Sequence, residues 1–256
     1  MSVFNKLLSG LALALGLLTA GSATAEGIAL DHARVKTTDL PSVQRGAKIF
    51  ANYCLSCHAA SYMRYTRLQD LGLTEDEIKN NLIFTTQQIG ETMKVAMDPA
   101  EGKKWFGTNP PDLTLITRAR EGHGGSGADY VYTLFRNFYR DPGTATGWNN
   151  FLFPRIAMPD PLWQLQGERK PIFGTHTGEN GKKEQVFTGR WEQVTPGTLT
   201  PLQYDQMLGD LVNYLQWMGE PAANKRVAIG VWVLLFLALF TILAWRLNAS
   251  YWKDVK

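Results

Sequence analysis

Apolar residues concentrate in two stretches near the chain ends and recur at helical spacings between them. The first stretch, 7–18, follows Lys6 and leads to Ala23-Thr24-Ala25. A short basic start, a brief apolar core and an Ala-x-Ala ending are the parts of a secretory signal peptide, so residues 1–25 are expected to be removed. The second stretch, 227–245, contains no charged residue. Nineteen residues at helical rise cover roughly 28 Å, about the thickness of a bilayer's hydrocarbon core. Trp232, Trp245, Tyr251 and Trp252 place amphipathic rings near its ends. The pattern predicts a transmembrane anchor over 225–246. With export directed by the signal peptide, the domain 26–224 faces the periplasm and the tail 247–256 stays in the cytoplasm.

Between these stretches the domain reads as mainly α-helical. From Ser42, the residues Val43, Ala47, Phe50, Ala51 and Cys54 fall on one face at spacings of three and four. Thr74 followed by Glu77 forms a capping box leading into Ile78 and Leu82. Residues 85–97 read as another short helix ended by Asp98-Pro99, and 102–112 as a loop because of Gly102 and Pro110-Pro111. Two more helices are expected over 113–120 and 128–139, separated by a glycine-rich link. The region 141–197 reads as long loops with a short hairpin near 185–194, and a loop of that length usually serves a site. Thr200-Pro201 opens a strong helix with Gln203 at its third position. Its expected apolar face is Leu202, Met207, Leu211, Tyr214, Leu215 and Met218, and Gly219-Glu220-Pro221 stops it.

Charge and cysteine content narrow the function classes. The stretch between the two apolar segments is close to neutral, which gives no electrostatic footprint for nucleic acid. The chain has only two cysteines, Cys54 and Cys57, so one chain cannot hold a four-thiolate iron–sulfur cluster. They stand in Cys54-Leu55-Ser56-Cys57-His58, the attachment pattern of c-type haem. Two thiols three residues apart can both add to the vinyl groups of one porphyrin, and His58 then lies where it can ligate the iron. A thioredoxin-like redox pair would need a strand-then-helix setting. A zinc site would need a second ligand cluster.

For the sixth iron ligand, a methionine would raise the reduction potential and suit electron transfer. Met207 and Met218 belong to a core face, Met63 is too close to His58, and Met93 and Met97 sit four apart in an expected helix. Met158 differs, because Pro159 and Pro161 stiffen the chain around it. Pattern alone ranks it first without excluding the others. No acid–base or nucleophilic catalytic set is evident.

The chain resembles the cytochrome c1 family, the haem subunits of the cytochrome bc1 complex, in its proteobacterial form. The resemblance is carried by Gln44-Arg45-Gly46-Ala47 through the haem motif, and by Tyr62-Met63-Arg64-Tyr65. Asn109-Pro110-Pro111-Asp112-Leu113, Ala119-Arg120, Asp129-Tyr130-Val131 and Ala157-Met158-Pro159 continue it, and the helix from Asp210 into the anchor completes it. The resemblance implies a cytochrome c-like helical haem domain with long loop insertions, whose first and last helices pack together. It implies one covalent haem c ligated by His58 and Met158, Arg120 against a propionate, and Pro110 and Pro111 packed on the His58 side. Implied partners are cytochrome b, a Rieske iron–sulfur protein that donates one electron, a cytochrome c that accepts it, and the lipid bilayer. A stand-alone anchored cytochrome serving a terminal oxidase would share the haem and the anchor.

Overall fold

The computed structural model describes residues 28–122, 124–177 and 183–254. The expected signal peptide lies outside the described residues. Helices dominate, and the strands form three separate two-stranded sheets.

Helix α1 (Leu40–Ile49) starts on Asp39, whose carboxylate accepts from the Ser42 N–H, with Pro41 in the first turn. It buries Val43, Gly46 and Ala47 and runs on through a wider π-turn, Phe50–Cys54. Strand β1 (Ala60–Arg64) and a 3-10 helix (Tyr65–Leu71) follow, and then α2 (Glu75–Asn81) behind the expected Thr74–Glu77 capping box.

The helix expected over 85–97 does not form. Thr92–Met93 instead makes strand β2 against β1, and Tyr65 and Thr66 donate their N–H groups to Glu91 O and Ile89 O. These pairings with a distant segment override a weak local period. Asp98-Pro99, expected as a stop, is a start. Asp98 Oδ1 accepts from the N–H groups of Ala100 and Glu101, and α3 spans Pro99–Phe106 into the segment expected to be loop. A single turn, α4 (Ile116–Ala119), replaces the longer helix expected over 113–120.

Helix α5 (Gly127–Phe135) ends sooner than expected, because β3 (Phe138–Arg140) pairs with β4 (Trp148–Asn150). After α6 (Trp163–Gln166), the segment expected to form a short hairpin near 185–194 is instead one strand of a longer hairpin. Strands β5 (Arg169–Thr177) and β6 (Lys183–Gln193) pair antiparallel from Arg169↔Gln193 to Thr177↔Lys183.

Helix α7 (Pro201–Gly219) has its capping box at Thr200 and Gln203. Its buried face carries Tyr204, Leu208, Leu211, Val212, Tyr214, Leu215, Trp217 and Met218. Leu202 is exposed, contrary to expectation, because the first turn projects beyond the core. Helix α8 (Ala223–Tyr251) is long and apolar enough to cross a membrane. Between the two helices, Glu220 pairs with Arg226 and, at 3.5 Å, with Arg118.

The first and last domain helices pack directly. A Cβ added at Gly46 would lie 2.0 Å from the Asp210 carbonyl oxygen and 2.7 Å from Tyr214 Cβ. Only hydrogen fits there. Around this contact Ser42 Oγ donates to Asp210 Oδ1 (2.6 Å), Asn213 Nδ2 donates to Ser42 Oγ (2.7 Å), and Arg45 donates twice to the Asp210 carboxylate. Gly46→Ala gains about 1 kcal/mol of helix propensity. The contact it creates is with backbone, which no rotamer change relieves, so the expected net loss is about 2 kcal/mol. Denaturant unfolding of the variant checks this, and an unchanged midpoint would contradict it.

Candidate haem site

The π-turn that ends α1 sets up the attachment motif. Leu55 N–H bonds to Phe50 O, and the N–H groups of Cys57 and His58 both bond to Cys54 O, at 3.1 and 2.8 Å. This closes 54–58 into one tight turn. Both cysteines are free thiols, Cys54 buried and Cys57 half-buried. Burial, with a smaller contribution from Cys57, pushes the Cys54 thiol up to about 12, so it stays protonated at neutral pH.

His58 is half-buried, and its Nδ1 lies 2.8 Å from Pro111 O. A carbonyl can only accept, so Nδ1 carries the proton and Nε2 keeps its lone pair for a metal. Burial lowers the His58 pKa, while Pro111 and Asp112 oppose the shift. The neutral, ligating form is therefore favoured at physiological pH.

The loop that supplies Pro111 is fastened along the segment after His58. Leu113 N–H donates to Ala59 O (2.8 Å), and Ser61 N–H donates to Asp112 Oδ2 (2.7 Å). Asp112 Oδ1 also accepts from the N–H and hydroxyl of Thr114, at 2.8 and 2.6 Å. Asp112 thus clamps the loop to the haem turn, a role that reading the motif did not assign to it. Pro110 packs beside α3, with its ring carbon 3.5 Å from the position a Gly102 Cβ would take.

The remaining expected site residues stand on other elements. Arg120 caps the end of α4 with its guanidinium 5.2 Å from the centre of the Tyr130 ring, and among the described residues it makes no ion pair. A cation with no carboxylate beside it suits an acidic substituent supplied by a ligand. Met158 is half-buried and packs against the main core, following buried Ile156. Two residues on, Asp160 is buried. Its Oδ1 accepts from Leu162 N–H (2.9 Å), and its Oδ2 has no partner among the described residues. Burial pushes the Asp160 carboxyl up to about 6, against the pull of Leu162, Arg169 and Arg140. No sequence pattern marks this residue.

Three other methionines are packed in the core. Met93 is buried and accepts from Tyr214 Oη, although it lies in a strand and not in the helix expected. Met63 and Met218 are also buried. Of the histidines, His32 and His176 are exposed, His32 pairing with Asp129 at 3.2 Å, and His123 lies outside the described residues.

What the turn offers is two free thiols and one oriented imidazole nitrogen, a donor set that fits a c-type haem. The model for the cytochrome C1 family matches residues 31–171 and 190–255. The chain belongs to the cytochrome c1 family. It is 42% identical to a cytochrome c1 of Allochromatium vinosum, covering 93% of this chain and 94% of that one. It is 30% identical to a cytochrome c1 of Rhodospirillum rubrum, over 85% and 83%. It is also 43% identical, over 89% of both chains, to a Nitrosomonas europaea protein described as an ammonia monooxygenase gamma subunit.

Asp112 yields a pH prediction. Burial alone would raise its pKa, but the donors from Thr114 and Ser61 outweigh that and hold it below its usual 3.8. The stability it contributes is therefore fully present above that value and is lost as pH falls through the lower folded one. Asp112→Asn should be less stable at neutral pH by about 1 kcal/mol, a modest figure because water screens the site. Its stability should also fall less steeply than wild type in acid. Thermal midpoints measured against pH check both, and parallel profiles would contradict the clamp.

Proposed function

We propose that this chain is the haem-bearing electron carrier of a cytochrome bc1 complex, taking one electron from a Rieske iron–sulfur protein and passing it to a cytochrome c. The observation that supports it most is the Cys54–His58 turn with its imidazole held by Pro111, in a chain that matches the cytochrome c1 family over most of its length. Bound haem c would supply a one-electron couple. Everything else the chain does is placement and tuning.

In this reading Cys54 and Cys57 tether the porphyrin edge through thioether bonds. His58 presents Nε2 to the iron, and the Pro111 carbonyl keeps the ring from rotating. Met158 would hold the iron through a soft thioether, which would favour the reduced state and raise the potential. Arg120 balances a propionate, a contact that strengthens in a partly dry setting. Pro110 and Pro111 close the His58 side. The domain 26–224 sits in the periplasm after removal of residues 1–25. Helix α8 crosses the inner membrane over 225–246 and leaves 247–256 in the cytoplasm.

Purification from membranes tests the assignment. The chain should copurify with a cytochrome b and a Rieske protein, and quinol should reduce its haem in that preparation. A haem-loaded chain that purifies alone, and is reduced only by another donor, would contradict membership of the complex. Met158→Leu should keep covalent haem but lose the methionine-to-iron absorption band and the high potential. An unchanged spectrum would make Met158 a packing residue.

A further inference from the structure

The family match breaks between residues 171 and 190, across the outer part of the β5–β6 hairpin. That hairpin is not an idle projection. Phe173 and Phe187 face each other across the strands, and Trp191 continues the same face. Together they enclose Phe151, the first residue after β4. The Phe151 and Phe187 rings are stacked at 4.2 Å with 10° between their planes. Tyr139 also stacks on Phe151 at 4.8 Å, and Trp191 lies 5.8 Å away. None of these rings joins the main core. They form a satellite cluster that ties the hairpin to the start of the Met158 segment.

The hairpin is well anchored at its base. The Arg169 guanidinium donates to Arg136 O and Phe138 O and lies 4.0 Å over the Trp191 ring, and Arg140 pairs with Glu168 at 2.7 Å. The chain between Phe151 and Met158 is also stiff. Asn150 Oδ1 accepts from the N–H groups of Leu152 and Phe153, Asn149 Oδ1 accepts from Arg155 N–H, and Arg155 holds a φ of 60°. Ile156 is then buried two residues before Met158. A force on the Phe151 ring therefore reaches Met158 through a segment with little slack.

We propose that the hairpin is a brace for the sixth-ligand segment, with Phe187 as the positioning residue that clamps Phe151 and so holds Met158 against displacement. This rests on the reading of Met158 as the ligand. A brace matters because a thioether is a weak iron ligand, kept in place by the rigidity of the chain that carries it. Aromatic pairing of this kind is worth enough to change a ligand-exchange equilibrium by a measurable factor.

The test is an imidazole titration of the full-length, haem-loaded protein in detergent, following loss of the methionine-to-iron band. Phe187→Ala should need a roughly fivefold lower imidazole concentration for half displacement, the factor an aromatic pair of ordinary strength corresponds to. Phe187→Tyr, which keeps the stacked ring, should titrate as wild type. Phe187→Leu keeps bulk without stacking and should shift in the same direction as Phe187→Ala, so it carries the test if the alanine variant yields no haem-loaded protein. Met158→Leu separates the two readings. If it retains the band, the ligand assignment fails and the brace with it. If it loses the band while Phe187→Ala and Phe187→Leu titrate as wild type, the brace alone is overturned.

Discussion

The close approach of α1 and α7 at Gly46 is the constraint on which the rest of the structure depends. Asp210 O would lie 2.0 Å from any Cβ placed there, so the two backbones touch and neither helix can slide. Helix α1 runs straight into the Cys54–His58 turn, and α7 leads through Glu220 into α8. One contact therefore fixes where the haem turn stands relative to the helix that leads into the apolar segment. The polar groups beside it differ in weight. Arg45 is exposed, so its pairing with Asp210 contributes little. Ser42 and Asn213 are buried, and breaking their hydrogen bond would leave polar atoms without water.

Once α1 is placed, the haem turn needs only local hydrogen bonds to become a ligand site. The Phe50–Cys54 π-turn and the bonds onto Cys54 O bring both thiols and the imidazole into five residues. The imidazole is then oriented from outside the turn by Pro111, and that loop is held in register by the Asp112 carboxylate on Ser61 N–H and by Leu113 N–H on Ala59 O. The two halves of the proposed site are built differently. The His58 side is made rigid by backbone and carboxylate hydrogen bonds. The Met158 segment follows asparagine-held turns, and Met158 itself packs against the main core.

Much of this was legible in the chain because the signals were local. The Thr74–Glu77 and Thr200–Gln203 capping boxes, the face of α1 and the apolar run of α8 depend only on neighbours within a few residues. The haem turn is equally local. Residues 85–97 have a helical period but contain a strand because Met93 is held by β1 and Tyr214, partners far away in sequence. Asp98-Pro99 is an ambiguous signal, since proline both stops a preceding helix and opens a following one. The hairpin was underestimated because its alternation is blurred by a register shift between Pro171 and Phe173. Asp112 and Asp160 could not be ranked above other acids, because what distinguishes them is who donates to them after folding.

The proposed function stands on one covalent haem held by Cys54, Cys57 and His58. Its most direct measurement is haem content after denaturation and acid–acetone extraction of the full chain, produced in cells able to attach haem c. Haem that stays with wild-type protein, and is largely extracted once both cysteines are replaced by serine, is the expected result. Haem that washes out of wild type, or stays bound in the double-serine variant, would contradict covalent attachment at this turn.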